Sequence, residues 1–216
     1  MNYFVIGDIH GCYHTFCSLL EHWNSKTEHL ICVGDLIDRG KYSWQVLEKC
    51  FSLMKDPNVS ITVLKGNHEA EFIQYVRDGH HEIWTAQCGT ETLIHFEENE
   101  VDLVKLSTQL VQFPLKFEKD YFIVTHAGIS DTSNPYEEDN WDGVLWNRNP
   151  LKNIGKLQIH GHTPLHTAQP LFTAKSCSYN IDNGIYCSYG LSGIKLDEYA
   201  NIIDIIVVPT DQRDLV

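Results

Sequence analysis

Three short apolar runs, each followed directly by a loop of polar residues and glycine, constrain the fold of this chain more than any other feature. The runs span residues 3–6, 30–33 and 61–64, and the loops read GDIHG from position 7, GDLIDRG from position 34 and GNHE from position 66. Asp8, Asp35 and Asn67 are spaced by 27 and 32 residues, close to the roughly 30 residues of a strand, helix, strand repeat. Consecutive parallel strands would bring the three loops to one edge of the sheet, where open α/β sheets bind their ligands.

Two more predicted strands end in loops that contain histidine. Residues 122–125 lead into His126-Ala127-Gly128, and residues 157–159 lead into HGHTP from position 160. With the first three loops, these strand ends offer carboxylate, amide and imidazole groups, which are oxygen and nitrogen ligands suited to divalent metal ions. The sequence therefore predicts one composite site rather than separate loops.

The motifs, in this order, resemble those of the metallophosphoesterase superfamily and specifically of its phosphoprotein phosphatase branch. The compact length is similar to that of bacterial and bacteriophage serine/threonine protein phosphatases. The resemblance covers positions 7 to about 164, and residues 165–216 match only in general character. It implies an α/β calcineurin-like metallophosphoesterase fold, in which two mixed β-sheets are sandwiched and flanked by helices and a βαβαβ core carries the metal loops.

The resemblance also implies two divalent metal ions, with Mn²⁺ as the leading candidate and Fe or Zn²⁺ as alternatives. The family's metal ligands correspond here to Asp8, His10, Asp35, Asn67, His126 and His162. Asp35 would bridge two ions about 3.5–4 Å apart. Such a pair would activate a bridging hydroxide for direct in-line attack on phosphorus, so that no phosphoenzyme forms.

Four further residues complete the implied chemistry. Arg39 and Arg148 would bind phosphate oxygens, which the planar guanidinium group suits. Arg148 lies in a Trp-Asn-Arg stretch that is similar to the family's Trp-Ser-Arg region. His68 would protonate the leaving alkoxide, and Asp38 would hydrogen-bond the other ring nitrogen and fix the tautomer. Pro164 stands where many phosphodiesterase relatives have a second histidine, which favours a monoesterase.

Two residues beside these motifs have competing interpretations. Glu69 is either a first-turn carboxylate favoured by the helix dipole or a group that orients the site, and the sequence favours neither. His160 is interpreted as structural, because the metal-binding histidine of its motif corresponds to His162. The histidines outside the motifs match no ligand pattern and are assigned to the surface or to helix caps.

The composition limits the class of protein. A chain of 216 residues is consistent with one domain over residues 1–216. The formal net charge is −13 and Lys and Arg do not cluster, which argues against duplex nucleic acid as a partner. We expect no signal peptide and no membrane span, because no apolar run approaches roughly 18 residues. The seven cysteines are irregularly spaced and are predicted to be reduced, as in the cytoplasm.

Apolar periodicity and turn residues predict the remaining elements. Helices are predicted over 13–23, 43–54 and 67–76. Residues 79–112 are predicted to form a helical insertion that flanks the active-site edge and sets substrate selectivity, and residues 130–150 a long loop that is functional or mobile. Antiparallel strands that complete a second sheet are predicted over 179–181, 185–188, 191–196 and 202–208, and the last eight residues are predicted to fray.

The leading hypothesis is a dinuclear-metal phosphomonoesterase that hydrolyses phosphoserine or phosphothreonine in proteins, with phosphotyrosine left open. Its partner would be a phosphorylated protein or peptide. The alternative is symmetrical cleavage of diadenosine tetraphosphate or a related nucleoside polyphosphate reaction, since the metal ions contact only phosphate. The sequence offers no obvious paired aromatic platform for adenines, which favours the protein phosphatase. A second alternative is a catalytically silent metal-binding scaffold, which the complete ligand set disfavours.

Overall fold

Two mixed β-sheets form the centre of the chain, and helices flank them. The computed structural model describes residues 1–215. The strands are β1 Asn2–Ile6, β2 Glu28–Cys32, β3 Ile61–Val63, β4 Lys116–Glu118, β5 Phe122–Thr125, β6 Leu157–His160, β7 Leu171–Thr173, β8 Ser178–Asn180, β9 Leu191–Leu196 and β10 Ile202–Val208. One sheet has the order β10-β9-β1-β2-β3 and the other the order β4-β5-β6-β8-β7. The predicted α/β architecture of two mixed sheets is confirmed.

The helices follow the predicted order. They are α1 Tyr13–Leu20, α2 Ser43–Lys55, α3 Asn67–Asp78, α4 Glu82–Trp84, α5 Thr90–Glu98 and α6 Leu103–Leu110, with a π-helical turn at Thr85–Gly89 between α4 and α5. The segment predicted as a helical insertion, 79–112, is helical over most of its length. Among residues 1–215, no helix is both long and apolar enough to cross a membrane.

Parallel pairing brings the polar loops to one sheet edge, as the spacing predicts. In the first sheet, Phe4 pairs with Leu30 and Leu30 pairs with Ile61, so that β1, β2 and β3 run in the same direction. In the second sheet, β5, β6 and β8 are likewise parallel. The loops that follow these strands therefore start at the carboxyl ends of neighbouring strands.

Strand β1 is buried on both faces and carries the two main apolar clusters. Phe4 and Ile6 belong to the cluster that contacts the helices, whereas Tyr3 and Val5 belong to the cluster between the two sheets. Successive side chains of a strand point to opposite faces, so a continuous apolar run is what a strand buried on both sides requires. The loop that begins at Gly7 is consequently anchored to a strand that is buried on both faces.

The prediction for the last third of the chain is partly wrong. Strands β9 and β10 are antiparallel, as predicted, but β9 pairs with the free edge of β1 and so extends the first sheet rather than the second. Residues 185–187 form a 3₁₀ turn instead of a strand. Gly184 and Ser188 flank this turn with φ values of 84° and 68°, and a strand does not continue through left-handed residues.

Residues Gln212–Asp214 form a 3₁₀ turn, which corrects the prediction that the last eight residues fray; residue 216 lies outside the described residues. Asp214 is fully buried. Its carboxylate accepts hydrogen bonds from the backbone N–H groups of His14 and Thr15, at 2.9 and 2.8 Å, and from the Thr15 hydroxyl at 2.6 Å. A carboxylate there satisfies amides that the first turn of α1 leaves free and lies at the positive end of the helix dipole.

We predict that Asp214→Ala lowers the free energy of unfolding by about 1–3 kcal/mol, because it leaves buried donors without a partner. Urea denaturation measures this difference. Asp204→Ala, at an exposed position on β10, is the matched control and should change stability by less than about 0.5 kcal/mol. Equal urea midpoints for the two variants would mean that the bonds of Asp214 contribute nothing to the free energy of unfolding.

Candidate active site

The six side chains predicted as metal ligands meet at one buried centre. They are Asp8, His10, Asp35, Asn67, His126 and His162, and none is more than 8% exposed. Oδ1 of Asn67 lies 2.8 Å from Nδ1 of His162 and 3.0 Å from Nε2 of His126. Oδ1 of Asp35 lies 3.4 Å from the same His126 nitrogen. The structure thus brings together residues that are up to 154 positions apart in sequence.

Two histidines direct unprotonated nitrogens at a common point. Nδ1 of His126 lies 3.1 Å from the carbonyl oxygen of Val33, and Nε2 of His162 lies 3.2 Å from that of Trp146. A carbonyl only accepts, so these ring nitrogens carry the protons and the opposite nitrogens carry lone pairs. Those two nitrogens are 3.2 Å apart. Acceptors that face each other at this distance fit a cation between them.

A second group of acceptors lies on the other side of Asp35. Nδ1 of His10 lies 3.1 Å from the Ile37 carbonyl, which leaves the Nε2 lone pair facing Oδ2 of Asp35 at 3.6 Å. Oδ2 of Asp8 accepts the backbone N–H of His162 at 2.9 Å, while Oδ1 of Asp8 is buried without a hydrogen-bond partner in the described part of the chain. This donor set also fits a divalent cation, with Asp35 placed between the two groups.

Burial sets the charge of the imidazoles. Desolvation, with the charges of neighbouring cationic groups, holds the pKa values of His10 and His126 well below their ordinary value and lowers the pKa of His162 to about 3. Neutral imidazole is the form that binds a metal ion. The histidines are therefore ready to coordinate at neutral pH without losing a proton.

Burial has the opposite effect on the carboxylates. Desolvation raises the pKa of Asp35 to about 7, and desolvation with the charges of Asp182 and Asp35 raises the pKa of Asp8 well above its ordinary value. Like charges crowded in a dry site are costly. A bound cation would remove that cost. The raised pKa values of the buried carboxylates are therefore a second observation that fits metal ions.

Five of the predicted site residues adopt left-handed backbone conformations. The φ values are 45° for His10, 49° for Asp35, 73° for Asp38, 71° for Arg39 and 71° for His162. Non-glycine residues rarely adopt such values, and clusters of them are typical of functional sites. The backbone of these loops is therefore bent to aim side chains at the centre.

Two glycines permit the close approach of the carboxylates. A Cβ atom at Gly161 would overlap Oδ1 of Asp8, and one at Gly66 would overlap Oδ1 of Asp35. The carboxylates lie directly against bare backbone at both positions. This explains why glycine precedes His162 in one motif and Asn67 in the other.

His68 and Asp38 form a hydrogen-bonded pair beside the centre. Nδ1 of His68 donates to Oδ2 of Asp38 at 2.5 Å, and Nε2 of His68 lies 3.8 Å from Oδ2 of Asp35. Burial lowers the pKa of His68, but the carboxylates of Asp35 and Asp38 outweigh it and raise that pKa well above its ordinary value. With Nδ1 bonded to Asp38, the second ring nitrogen, Nε2, faces the site.

The centre opens into a cleft of about 1190 Å³ that contains both predicted arginines. Arg39 and Arg148 line it together with His68 and His162. The guanidinium of Arg39 lies 5.2 Å from the ring centre of Tyr186, a cation–π contact, and its Nε is buried without a hydrogen-bond partner among residues 1–215. The cleft thus offers guanidinium donors next to the proposed metal positions.

The structure resolves the two competing interpretations. Glu69 lies in the first turn of α3 and also orients the site: its carboxylate accepts N–H groups of Asp35 at 2.9 Å, Leu36 at 2.8 Å and Gly66 at 2.8 Å. His160 has a ring contact to the Gly161 carbonyl at 3.1 Å, and burial lowers its pKa to about 4. It does not belong to the groups of potential metal ligands found in the described residues.

Sequence reasoning missed several residues of the site. Tyr186 packs against His10 with ring centres 5.1 Å apart, in the segment wrongly predicted as a strand. Asp182 is 1% exposed, with one oxygen unpartnered within residues 1–215 and a pKa that burial raises to about 7. The Asp-Asn-Gly turn was the only local signal for Asp182. Trp84 and Thr92, which contact Asp38, had none.

The predicted loop 130–150 contributes an aromatic pair to the cleft. As expected, this stretch contains no helix or strand in the described structure. The rings of Trp141 and Trp146 have centres 5.0 Å apart and both line the cleft. Trp141 is 74% exposed. The sequence offered no obvious paired aromatic platform, because nothing in a loop without periodicity predicts that two of its rings meet.

Most of the chain is similar in sequence to known phosphoesterases. The calcineurin-like phosphoesterase family model matches residues 1–207. Serine/threonine-protein phosphatase 2 of Salmonella typhimurium is 30% identical over 89% of this chain and 91% of its own length. The asymmetrical bis(5′-nucleosyl)-tetraphosphatase PrpE of Bacillus cereus is 27% identical over 97% of this chain and 95% of its own. A protein serine/threonine phosphatase from Saccharomyces cerevisiae has a similar structure, with a TM-score of 0.64 and 16% identity, covering 98% of this chain and 80% of the other.

We predict that Asp35→Asn stabilises the metal-free protein at neutral pH. The folded pKa of Asp35, about 7, exceeds the roughly 3.9 of an unfolded chain. Metal-free wild type binds more protons when folded, so its free energy of unfolding falls as pH rises from about 4 to 7. Asparagine removes that dependence.

Thermal unfolding of chelator-treated protein at pH 5 and pH 7.5 measures the effect. At pH 7.5 the Asp35→Asn variant should melt at least about 4 °C above wild type, since 1 kcal/mol corresponds to roughly 2–4 °C at this size. The difference should shrink at pH 5. Asp204→Asn is the exposed control, and the same pH slope in all three proteins would contradict the prediction.

Proposed function

The chain belongs to the calcineurin-like phosphoesterase family, and we propose that within it this protein is a dinuclear-metal phosphomonoesterase that dephosphorylates phosphoserine and phosphothreonine in proteins. The observation that carries the proposal is the buried centre of acceptors beside the His68–Asp38 pair. Acceptors alone would make a metal site. The adjacent imidazole of His68, bonded to Asp38, would serve as the proton donor for a leaving group.

Two divalent cations, with Mn²⁺ as the leading candidate, would occupy this centre. The first would be held by Asp8 and His10, the second by Asn67, His126 and His162, and Asp35 would contact both. When bound, they supply Lewis-acid activation of water and charge neutralisation of phosphate. The carbonyl groups of Ile37, Val33 and Trp146 would keep the three imidazoles in the coordinating tautomer.

The protein side chains bind the phosphate and move the proton. Arg39 and Arg148 would donate hydrogen bonds to phosphoryl oxygens from the cleft side. His68 would give its Nε2 proton to the leaving oxygen while Asp38 holds Nδ1. Such assistance is typically worth about 10²–10⁴-fold in rate.

The charge of the cleft favours a phosphoprotein substrate. Its lining includes the acidic residues Glu71, Asp78, Glu82, Glu138 and Asp139, and beyond the two predicted phosphate-binding arginines it includes Arg77, which is paired with Asp78. An acidic rim repels a compact polyanion such as a dinucleoside polyphosphate, but suits a phosphorylated segment with basic residues beside the phosphate. The phosphatase of Salmonella typhimurium, similar over 89% of this chain, supports the same assignment.

A second candidate is hydrolysis of a dinucleoside polyphosphate. The Trp141–Trp146 pair in the cleft favours it, because indole rings stack on nucleobases. Similarity to the tetraphosphatase of Bacillus cereus over 97% of this chain points in the same direction. The two candidates share one centre and differ only in what occupies the outer cleft.

We predict that phosphate release from phosphoserine and phosphothreonine peptides exceeds turnover of diadenosine tetraphosphate by at least about a hundredfold in kcat/KM, or roughly 2.7 kcal/mol. The assay uses chelator-treated protein supplemented with Mn²⁺. Trp141→Ala should change peptide turnover little. A preference for the dinucleotide that Trp141→Ala abolishes would establish the second candidate instead, and no turnover of any phosphate compound would leave a silent scaffold.

We predict that His126→Ala reduces the bound metal from two ions to one per chain. The substitution removes a ligand of one proposed position and leaves Asp8, His10 and Asp35 intact. Metal analysis after dialysis against micromolar Mn²⁺ measures the stoichiometry. His160→Ala, at a neighbouring half-buried imidazole outside the proposed ligand set, should retain two ions, and an equal loss in both variants would contradict the ligand assignment.

A further inference from the structure

The helical insertion over 79–112 reaches the catalytic pair directly. Nε1 of Trp84 donates to Oδ2 of Asp38 at 2.7 Å. The hydroxyl of Thr92 donates to the other oxygen, Oδ1. Both residues and Asp38 are buried, at no more than 3% exposure. The insertion therefore donates two hydrogen bonds to the carboxylate of Asp38, which is bonded to the ring of His68.

These two donors fix the plane of the carboxylate. Oδ2 of Asp38 is shared between the ring of His68 and the indole of Trp84, while Oδ1 is bonded to Thr92. A carboxylate bonded on one oxygen can rotate about its terminal torsion, which is intrinsically broad. With both oxygens engaged by groups of fixed position, the direction of the bond to His68 is fixed as well.

The insertion is built to hold the indole rigidly. The ring of Trp84 packs edge-on against Phe72, at 5.9 Å between ring centres, and at a tilt against Tyr75, at 5.3 Å; both partners lie on α3. A Cβ atom at Gly89 would overlap the indole. The π-helical turn Thr85–Gly89 connects Trp84 to the helix that carries Thr92, and π-turns are frequent at functional sites.

We propose that Trp84 and Thr92 are positioning residues for the general acid: they hold Asp38, and through it His68, in the orientation that protonates the leaving oxygen. The inference rests on the proposed function of His68. In the step concerned, a hydroxide formed from water makes a bond to phosphorus, and the bond to the leaving oxygen breaks with its electron pair. The leaving oxygen takes the Nε2 proton of His68, and the ring regains a proton equivalent to the one that the water lost in forming the hydroxide.

The insertion would then have two roles: it lines the cleft, and it positions the general acid. The sequence predicts that residues 79–112 set substrate selectivity, and residues 80–83 and 87 do line the cleft. Trp84 and Thr92 lie on the inner side, away from any substrate. Their contribution should therefore depend on how much the leaving group needs a proton, and not on which substrate carries the phosphate.

The test compares two esters with different leaving groups. Phenolate needs protonation more than 4-nitrophenolate does, so kcat on phenyl phosphate relative to 4-nitrophenyl phosphate reports the acid. For Thr92→Val, which keeps the side-chain volume, we expect this ratio to fall at least fivefold, a fraction of the 10²–10⁴-fold that general acid help provides. Thr92→Ser, which restores a hydroxyl, should recover the wild-type ratio.

Thr90→Val is the matched control. Thr90 is exposed on the same helix, and its hydroxyl bonds the Thr85 carbonyl instead of Asp38. It should leave the ratio at the wild-type value. If Thr92→Val lowers turnover of both esters equally, Thr92 is only structural and the inference is wrong.

His68→Asn separates this inference from the proposed function. A fall in the ratio for His68→Asn but not for Thr92→Val would overturn the positioning role alone. If His68→Asn lowers kcat equally on both esters, His68 is not the general acid, and the inference is wrong as well. If both residues act through one proton transfer, the double variant should show the ratio of His68→Asn alone, because residues that act as a unit are not additive.

Discussion

The structure depends on one unfavourable arrangement: carboxylates and imidazole lone pairs meet at a buried point where no side chain can satisfy them. Asp8 and Asp35 are both nearly inaccessible, and neutral histidine nitrogens face each other at 3.2 Å. Burying such groups costs free energy, and protonation of a carboxylate or a bound cation reduces that cost. The rest of the fold has to hold this arrangement in place, and the two apolar clusters on either face of β1 provide the support.

The backbone, more than side-chain packing, holds the centre together. Three carbonyl groups orient the imidazoles, and the carboxylate of Glu69 gathers the amides of Asp35, Leu36 and Gly66. Most of these partners lie on a neighbouring loop: His10 is oriented by Ile37, His126 by Val33 and His162 by Trp146. The loops therefore fix one another's geometry once the strands have paired, and the glycines under Asp8 and Asp35 permit this close approach. The left-handed φ values belong to the individual loops.

This explains how much could be predicted from the sequence. Strand ends, loop ligands and the parallel pairing follow from apolar runs, glycine positions and spacing, which are all local. Other features depend on contacts between distant segments whose own sequences look ordinary. Examples are the pairing of β9 with β1, the burial of Asp214 and the bonds from Trp84 and Thr92 to Asp38. An isolated tryptophan in a helical stretch predicts a core residue, and only the fold shows that its N–H reaches the carboxylate bonded to His68.

The loop 130–150 links the outer cleft to the centre. Trp146 donates its indole N–H to the Glu138 carbonyl at 2.8 Å, and its own carbonyl orients His162, while the Glu138 side chain is held by buried Lys65 at 2.7 Å. A group that contacts the tryptophan pair therefore contacts the residue, Trp146, whose backbone carbonyl orients His162, a proposed metal ligand. Because the cleft rim is acidic, the arginines and any bound cations supply the positive charge that attracts phosphate. The attraction is thus confined to the centre, and the rim is free to discriminate among the groups that carry the phosphate.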